Sequence, residues 1–200
     1  AHHERYRVTI FGSARTKPGT MPYNETKRAA AALVEMDCDI ITGGGPGLMQ
    51  AANEGAAAAP ERARSIGIRV ELPFEQAPNP YLDRSVTCRY FFVRKVLLFK
   101  YSYAFVALPG GLGTLDELAE ALTLVQTGKI ANFPIVLIGR EYWQPFVDML
   151  QHMAAEGTVG AADLDLLMVT DSVPEAMAHI QQHAIEPFGL RRRVLKPSPL

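Results

Sequence analysis

Ala104-Phe105-Val106-Ala107-Leu108-Pro109-Gly110-Gly111-Leu112-Gly113-Thr114-Leu115 reads as a strand, a glycine-rich turn and the start of a helix. Five consecutive apolar residues with no alternating polar position fit a strand covered on both faces. Leu115 to Thr127 then predicts a helix. The same unit recurs along the chain. Val8-Thr9-Ile10-Phe11 closes at Gly12 ahead of a helix over 24–36, and Cys38-Asp39-Ile40-Ile41-Thr42 stops at Gly43-Gly44-Gly45-Pro46-Gly47 ahead of a helix over 48–59. Ser65 to Leu72 alternates like a strand, and Val86 to Phe92 reads as another, followed by a helix over 93–101. Pro134 to Ile138 is a strand ended by Gly139. Helices over 143–155 and 172–183 flank a last strand over 166–170, the second helix opening on the capping-box spacing of Ser172 and Glu175.

Buried strands separated by helices predict an α/β fold, a doubly wound, mostly parallel sheet with helices on both faces. One domain over 1–200 is expected, with 186–200, which contains Arg191-Arg192-Arg193, as a peripheral arm. The 200 residues are 48% hydrophobic and 20% charged, which excludes intrinsic disorder as the main state. Twenty basic and 21 acidic side chains leave a net charge of −1, so no overall field favours nucleic acid. No stretch approaches the ~20 apolar residues of a membrane span. Cys38 and Cys88 read as small core residues of a reducing compartment. With no signal-peptide pattern at the N-terminus, a cytoplasmic location is expected. His2, His3, His152, His179 and His183 are scattered or terminal, so no metal is expected, nor any other cofactor. Met49, Trp143 and Phe146 read as core.

In an open α/β sheet the ligand crevice lies beyond the carboxyl ends of the strands. Three loops there stand out: Gly12-Ser13-Ala14-Arg15, Gly43-Gly44-Gly45-Pro46-Gly47 and Pro109-Gly110-Gly111-Leu112-Gly113-Thr114. Glycines let backbone N–H groups approach an anion, and the helix that follows adds favourable partial charge. The N–H groups of Gly110, Gly111, Gly113 and Thr114 are therefore the expected phosphate handle. No Gly-Lys-Ser/Thr of a P-loop follows these loops, and the dinucleotide fingerprint is absent. The segment from Pro73 to Leu82, with three prolines, is a loop of unusual length.

Pro109-Gly110-Gly111-Leu112-Gly113-Thr114-Leu115-Asp116-Glu117 resembles the PGGxGTxxE signature of the LOG ("Lonely guy") family, long labelled possible lysine decarboxylases. Phe92-Val93-Arg94-Lys95 resembles that family's Arg-Lys pair, and the loops at Ser13 and at Gly44-Gly45 resemble its other two; the likeness runs in order from about Arg7 to Val147. It implies a Rossmann-like fold, a dimer or larger assembly, and cleavage of the N-glycosidic bond of a nucleoside 5′-monophosphate, with cytokinin riboside monophosphates and AMP as substrates. It also implies catalytic roles for Arg94 and Glu117 and substrate contacts from Ser13, Gly44, Gly45 and Lys95, with Glu75 matching an acidic residue that contacts substrate. The chemistry agrees: breaking a glycosidic bond builds positive charge on the sugar, which a carboxylate beside the ribose stabilises. The nearby helix N-terminus is expected to keep Glu117 ionised.

Plainer readings compete. Thr114 and Glu117 have the spacing of a capping box, and Arg94 could lie along a packed helix with only its head in water. A non-catalytic nucleotide or molybdenum-cofactor carrier on the same fold is the alternative function. Lysine decarboxylation normally requires pyridoxal phosphate on a lysine, and Lys95 and Lys100 have no recognisable cofactor frame. Finally, Leu115, Leu118, Ala119, Leu122 and Val125 form one apolar stripe while Ala121 and Leu124 fall nearly opposite. The preceding helix, with Val93, Val96, Leu97, Leu98 and Phe99, is apolar around most of its girth. A homodimer in which these two helices meet their copies near the site is expected.

Overall fold

The apolar runs pair side by side. A computed structural model, describing residues 5–73, 77–131 and 133–188, places β1 (Tyr6–Phe11), β2 (Cys38–Thr42), β3 (Ser65–Val70), β4 (Arg84–Cys88), β5 (Ala104–Ala107), β6 (Ile135–Ile138) and β7 (Leu167–Thr170) in one sheet. The order is β4-β3-β2-β1-β5-β6-β7 and every neighbouring pair is parallel. β1 therefore lies at the centre, pairing β2 from Tyr6↔Cys38 and β5 from Val8↔Ala104.

Alternate residues of the central strands feed two cores. Val8, Ile10, Ile40 and Val106 point to one face, under α1 (Met21–Glu35), α2 (Leu48–Ala57) and α6 (Val173–Ile180). Phe11, Ile41, Phe105 and Leu137 point to the other, under α3 (Phe91–Lys100), α4 (Leu112–Gln126) and α5 (Arg140–Ala155), where Trp143 is buried. Helices on both faces explain why the strands carry so few polar positions. Ser172 caps α6 as the sequence predicts, its side chain accepting the Glu175 N–H at 3.3 Å. Cys38 and Cys88 are buried and unbridged. Among the described residues, no helix is long and apolar enough to cross a membrane.

Three expectations need correction. The strand read over 86–92 ends at Cys88, because its partner β3 ends at Val70 and Phe91 and Phe92 open α3 instead. Helix α4 begins at Leu112 rather than Leu115. Its inner face is also rotated from the expected stripe: Leu118 and Ala121 are buried with Thr114 and Glu117, whereas Ala119 is exposed. Beyond Phe188, the expected C-terminal arm lies outside the described residues.

Candidate active site

Between β1 and β5 the strand order changes direction, and the loops leaving these two strands part there to open a crevice. Backbone bonds hold its walls. The Ser13 N–H donates to the Pro109 carbonyl at 3.0 Å, and the Leu48 N–H donates to the Ser13 carbonyl at 2.9 Å, so all three glycine loops meet at Ser13. Gly47 has a φ of +68° and packs so closely on Ser13 and Ala14 that a side chain would collide with their backbone. The resulting cleft, of about 540 Å³, is lined by Phe11 to Arg15, Met49, Arg94, Gly111 to Thr114 and Glu117. A hollow of about 620 Å³ lies at the amino ends of the strands, among Arg5, Arg7, Asp39 and Arg64. Its charges are partly spent on one another, Arg5 on Asp39 at 3.7 Å, and no glycine loop opens on it.

Glu117 is only 2% exposed, although it lines the cleft. Its Oε1 lies 3.2 Å from Nη1 of Arg94, and its buried Oε2 has no hydrogen-bond partner among the described residues. Arg94 is held from a second side: its Nε–H donates to the Ile68 carbonyl at 3.1 Å, within β3. The guanidinium occupies the space a side chain on Gly43 would need, its Nη2 lying 2.6 Å from such a Cβ. A glycine there is what allows the arginine to reach Glu117. Burial pushes the Glu117 carboxyl above its ordinary range, with Arg94 pulling in the opposite direction. This reverses the expected effect of the helix terminus. Because α4 starts three residues early, Glu117 stands in its second turn, where the terminal partial charge has faded.

The early start also disposes of the capping-box reading. Gly111, not Thr114, is the N-cap, and Thr114 lies within the helix, its N–H bonded to the Gly111 carbonyl at 3.0 Å. That N–H is thus engaged, while the N–H groups of Leu112 and Gly113 precede the first intrahelical bond and remain available to an anion.

Of the residues read from the sequence, Ser13, Arg94, Gly111, Gly113, Thr114 and Glu117 share the cleft. Gly110 lies just behind it, packed on the Thr114 side chain, with its carbonyl accepting the Tyr142 hydroxyl. Gly44 and Gly45 do not line it. They form a support whose carbonyls accept the backbone N–H and Nδ2 of buried Asn79, each at 3.1 Å. Lys95 is also off the cleft, with its ammonium between Asp116 at 2.7 Å and Glu120 at 2.9 Å. Glu75 lies outside the described residues. Met49, read as core, is half-buried and lines the cleft, and so does Arg15. The signal for Arg15 was present, a charged residue in the turn after β1; Met49 offered none beyond its apolar character. Among the described residues, no three His, Cys, Asp or Glu side chains are gathered as a metal ion would require.

Known proteins resemble this chain in sequence and in fold. The family model described as possible lysine decarboxylase matches residues 49–180. A cytokinin riboside 5′-monophosphate phosphoribohydrolase of Rhodococcoides fascians is 37% identical over 89 residues, 44% of this chain and 44% of that protein, so the match spans less than half of the relative. The enzyme of that name LOG2 from Arabidopsis thaliana is 26% identical over 187 residues, 88% of this chain and 83% of the relative. In structure, the molybdenum cofactor carrier protein of Chlamydomonas reinhardtii superposes with a TM-score of 0.66 over 90% of this chain and 98% of its own, at 22% identity, which speaks to fold alone. Because the family model matches well over half of the chain, the chain belongs to the LOG family, the one described as possible lysine decarboxylase.

Proposed function

We propose that the protein hydrolyses the N-glycosidic bond of a nucleoside 5′-monophosphate, a cytokinin riboside monophosphate or AMP, in the cytoplasm. Water adds at C1′, the bond to the base nitrogen breaks with its electron pair leaving on the base, and a proton from water ends on the base. The products are free base and ribose 5-phosphate. The observation that carries the reading is the buried Glu117 oxygen without a partner, in the wall of a cleft rimmed by a helix N-terminus. A buried carboxylate oxygen is costly unless something pairs with it, and a ribose hydroxyl or a developing oxocarbenium ion is such a partner. Ionised Glu117, steadied by Arg94, would stabilise that charge, and the open N–H groups of α4 would take the phosphate.

A carrier of a bound cofactor has no need of the arginine-held carboxylate. Decarboxylation is disfavoured because the Lys95 ammonium is already paired twice. The test is incubation with a panel of nucleoside 5′-monophosphates and the matching nucleosides, followed by chromatography of the released base. Base should appear from AMP or an N6-substituted AMP and hardly at all from adenosine. Equal rates on both would sink the reading, and no release from any nucleotide would favour the carrier.

Assembly is part of the proposal. Phe91, Phe92 and Val96 of α3 are 54%, 66% and 57% exposed, and Leu112 at the start of α4 is 85% exposed. Such a patch is a liability on a monomer, and the helices that carry it also carry Arg94 and Glu117. We place a homodimer contact here. Leu124 is half-buried against its own core and makes a poor probe. Phe92→Glu should instead yield a 22 kDa species by light scattering at micromolar concentration, with an unchanged far-UV spectrum. A wild-type protein that already scatters as a monomer would end the proposal.

A further inference from the structure

Three charged side chains line the cleft among the described residues: Arg15, Arg94 and Glu117. Two of them are spent on each other. Arg15 is different. Its guanidinium has no hydrogen-bond or ion-pair partner among the described residues, and the side chain is exposed. Its backbone, by contrast, is fixed. The Arg15 N–H donates to Oγ of Ser13 at 3.1 Å, and Ser13 is itself tied through its N–H to Pro109 and through its carbonyl to Leu48. A long cation on a rigid base thus shares one cleft with the N-terminus of the 15-residue helix α4.

A phosphate monoester carries close to two negative charges at neutral pH. The terminus of α4 offers about half a unit of positive charge, and the charge of Arg94 is offset by Glu117. The balance requires another cation, and a planar guanidinium can meet two phosphate oxygens at once. Independently, the unpartnered Oε2 of Glu117, in a side chain 2% exposed, calls for a hydroxyl donor in the same cleft.

We infer that Arg15 is the anion-binding side chain of the cleft, and that the minimal ligand is a sugar phosphate, its hydroxyl at Glu117 and its phosphate between Arg15 and the N-terminus of α4. The inference rests on the proposed reading only in taking the sugar to lie at Glu117. It implies that ribose 5-phosphate binds without a base attached, and that Arg15, by reading the phosphate, discriminates nucleotide from nucleoside.

Calorimetry with ribose 5-phosphate and with ribose, on the wild-type protein and on Arg15→Ala and Arg15→Lys, tests this. Wild type should bind ribose 5-phosphate at least tenfold more tightly than ribose. Arg15→Ala should weaken ribose 5-phosphate by roughly 10- to 100-fold, the scale of a lost charge-assisted contact. Arg15→Lys should fall between the two, and ribose should be indifferent to either change. Melting temperatures should stay level, since the guanidinium holds nothing in the fold. Equal affinity of Arg15→Ala and wild type for ribose 5-phosphate overturns the inference, as does a wild type that binds ribose 5-phosphate no better than ribose. The two proposals fail separately. Binding that depends on Arg15 without base release from any nucleotide removes the hydrolase and keeps the anion site. Base release with unchanged affinity and KM in Arg15→Ala does the reverse.

Discussion

Glu117→Gln is expected to lower kcat by about 10²–10³ with far less change in KM, the loss typical of one preorganised electrostatic partner of a transition state. The amide keeps the volume of the side chain and can still accept from Arg94, so binding and packing are largely kept. It cannot offer the negative charge that the sugar demands as the bond to the base breaks. Steady-state kinetics on a responsive nucleotide checks this. Normal turnover in the variant would reduce Glu117 to a buried packing residue. The pH dependence makes the test sharper. Burial raises the carboxyl in the folded protein, Arg94 opposing, so wild-type activity should rise with pH through a limb above the ordinary carboxylate range. The variant should be flat across that limb. Stability runs the other way. Because the folded value is the higher one, this group's contribution is complete below its unfolded value and is lost as pH rises through the folded one. Glu117→Gln escapes that loss, so its melting temperature relative to wild type should climb with pH.

Arg94→Ala removes the other half of the pair and should damage both fold and activity. Glu117 is left buried without its ion-pair partner, and the Ile68 carbonyl loses the Arg94 donor. Breaking a buried pair from one side costs about 3 kcal/mol or more, which for a chain of this length is a fall of roughly 6–12 °C in Tm. The carboxyl should then protonate more readily, moving the acid limb of any residual activity to still higher pH. Arg94→Lys separates charge from geometry. A lysine restores a cation, but a single ammonium cannot bridge the Ile68 carbonyl and Glu117 as two guanidinium nitrogens do. It should recover most of the stability and little of the turnover. Equal melting and equal kcat/KM in Arg94→Ala would leave the ion pair with no part in fold or catalysis.

Much of this architecture is visible in the sequence because buried parallel strands are written as continuous apolar runs, such as Ala104–Leu108. The turns after them are written in glycine. The misreadings have physical causes. Gly113 suggests a loop, since glycine is a poor helix former, yet it sits in the first turn of α4, where missing bonds cost little and a close approach is useful. Phe91 and Phe92 extend an apolar run whose period does not separate strand from helix, and only the end of β3 decides the matter. Arg94, Lys95 and Glu117 illustrate the limit for the site. Adjacency puts Arg94 and Lys95 together in the sequence, but successive helix positions face apart, so one meets Glu117 while the other meets Asp116 and Glu120. Met49 carries no polar atom to announce itself, and its place in the cleft follows from the loop that turns it there.

The central position of β1 also has a kinetic meaning. Its partner β5 arrives only after three further strands and three helices have been made, and Thr9 must find Phe105 across that whole interval. Pairings between such distant segments are slow to form, because the chain entropy is lost before the contact rewards it. During synthesis on a ribosome, β1 to β4 can associate first, with one long edge of β1 still open. The cleft has no floor until that edge closes, since Ser13 and Pro109 meet only across it. Ligand binding would therefore report on the closing of β5 onto β1, and a sugar phosphate present during refolding would select for chains that have completed it.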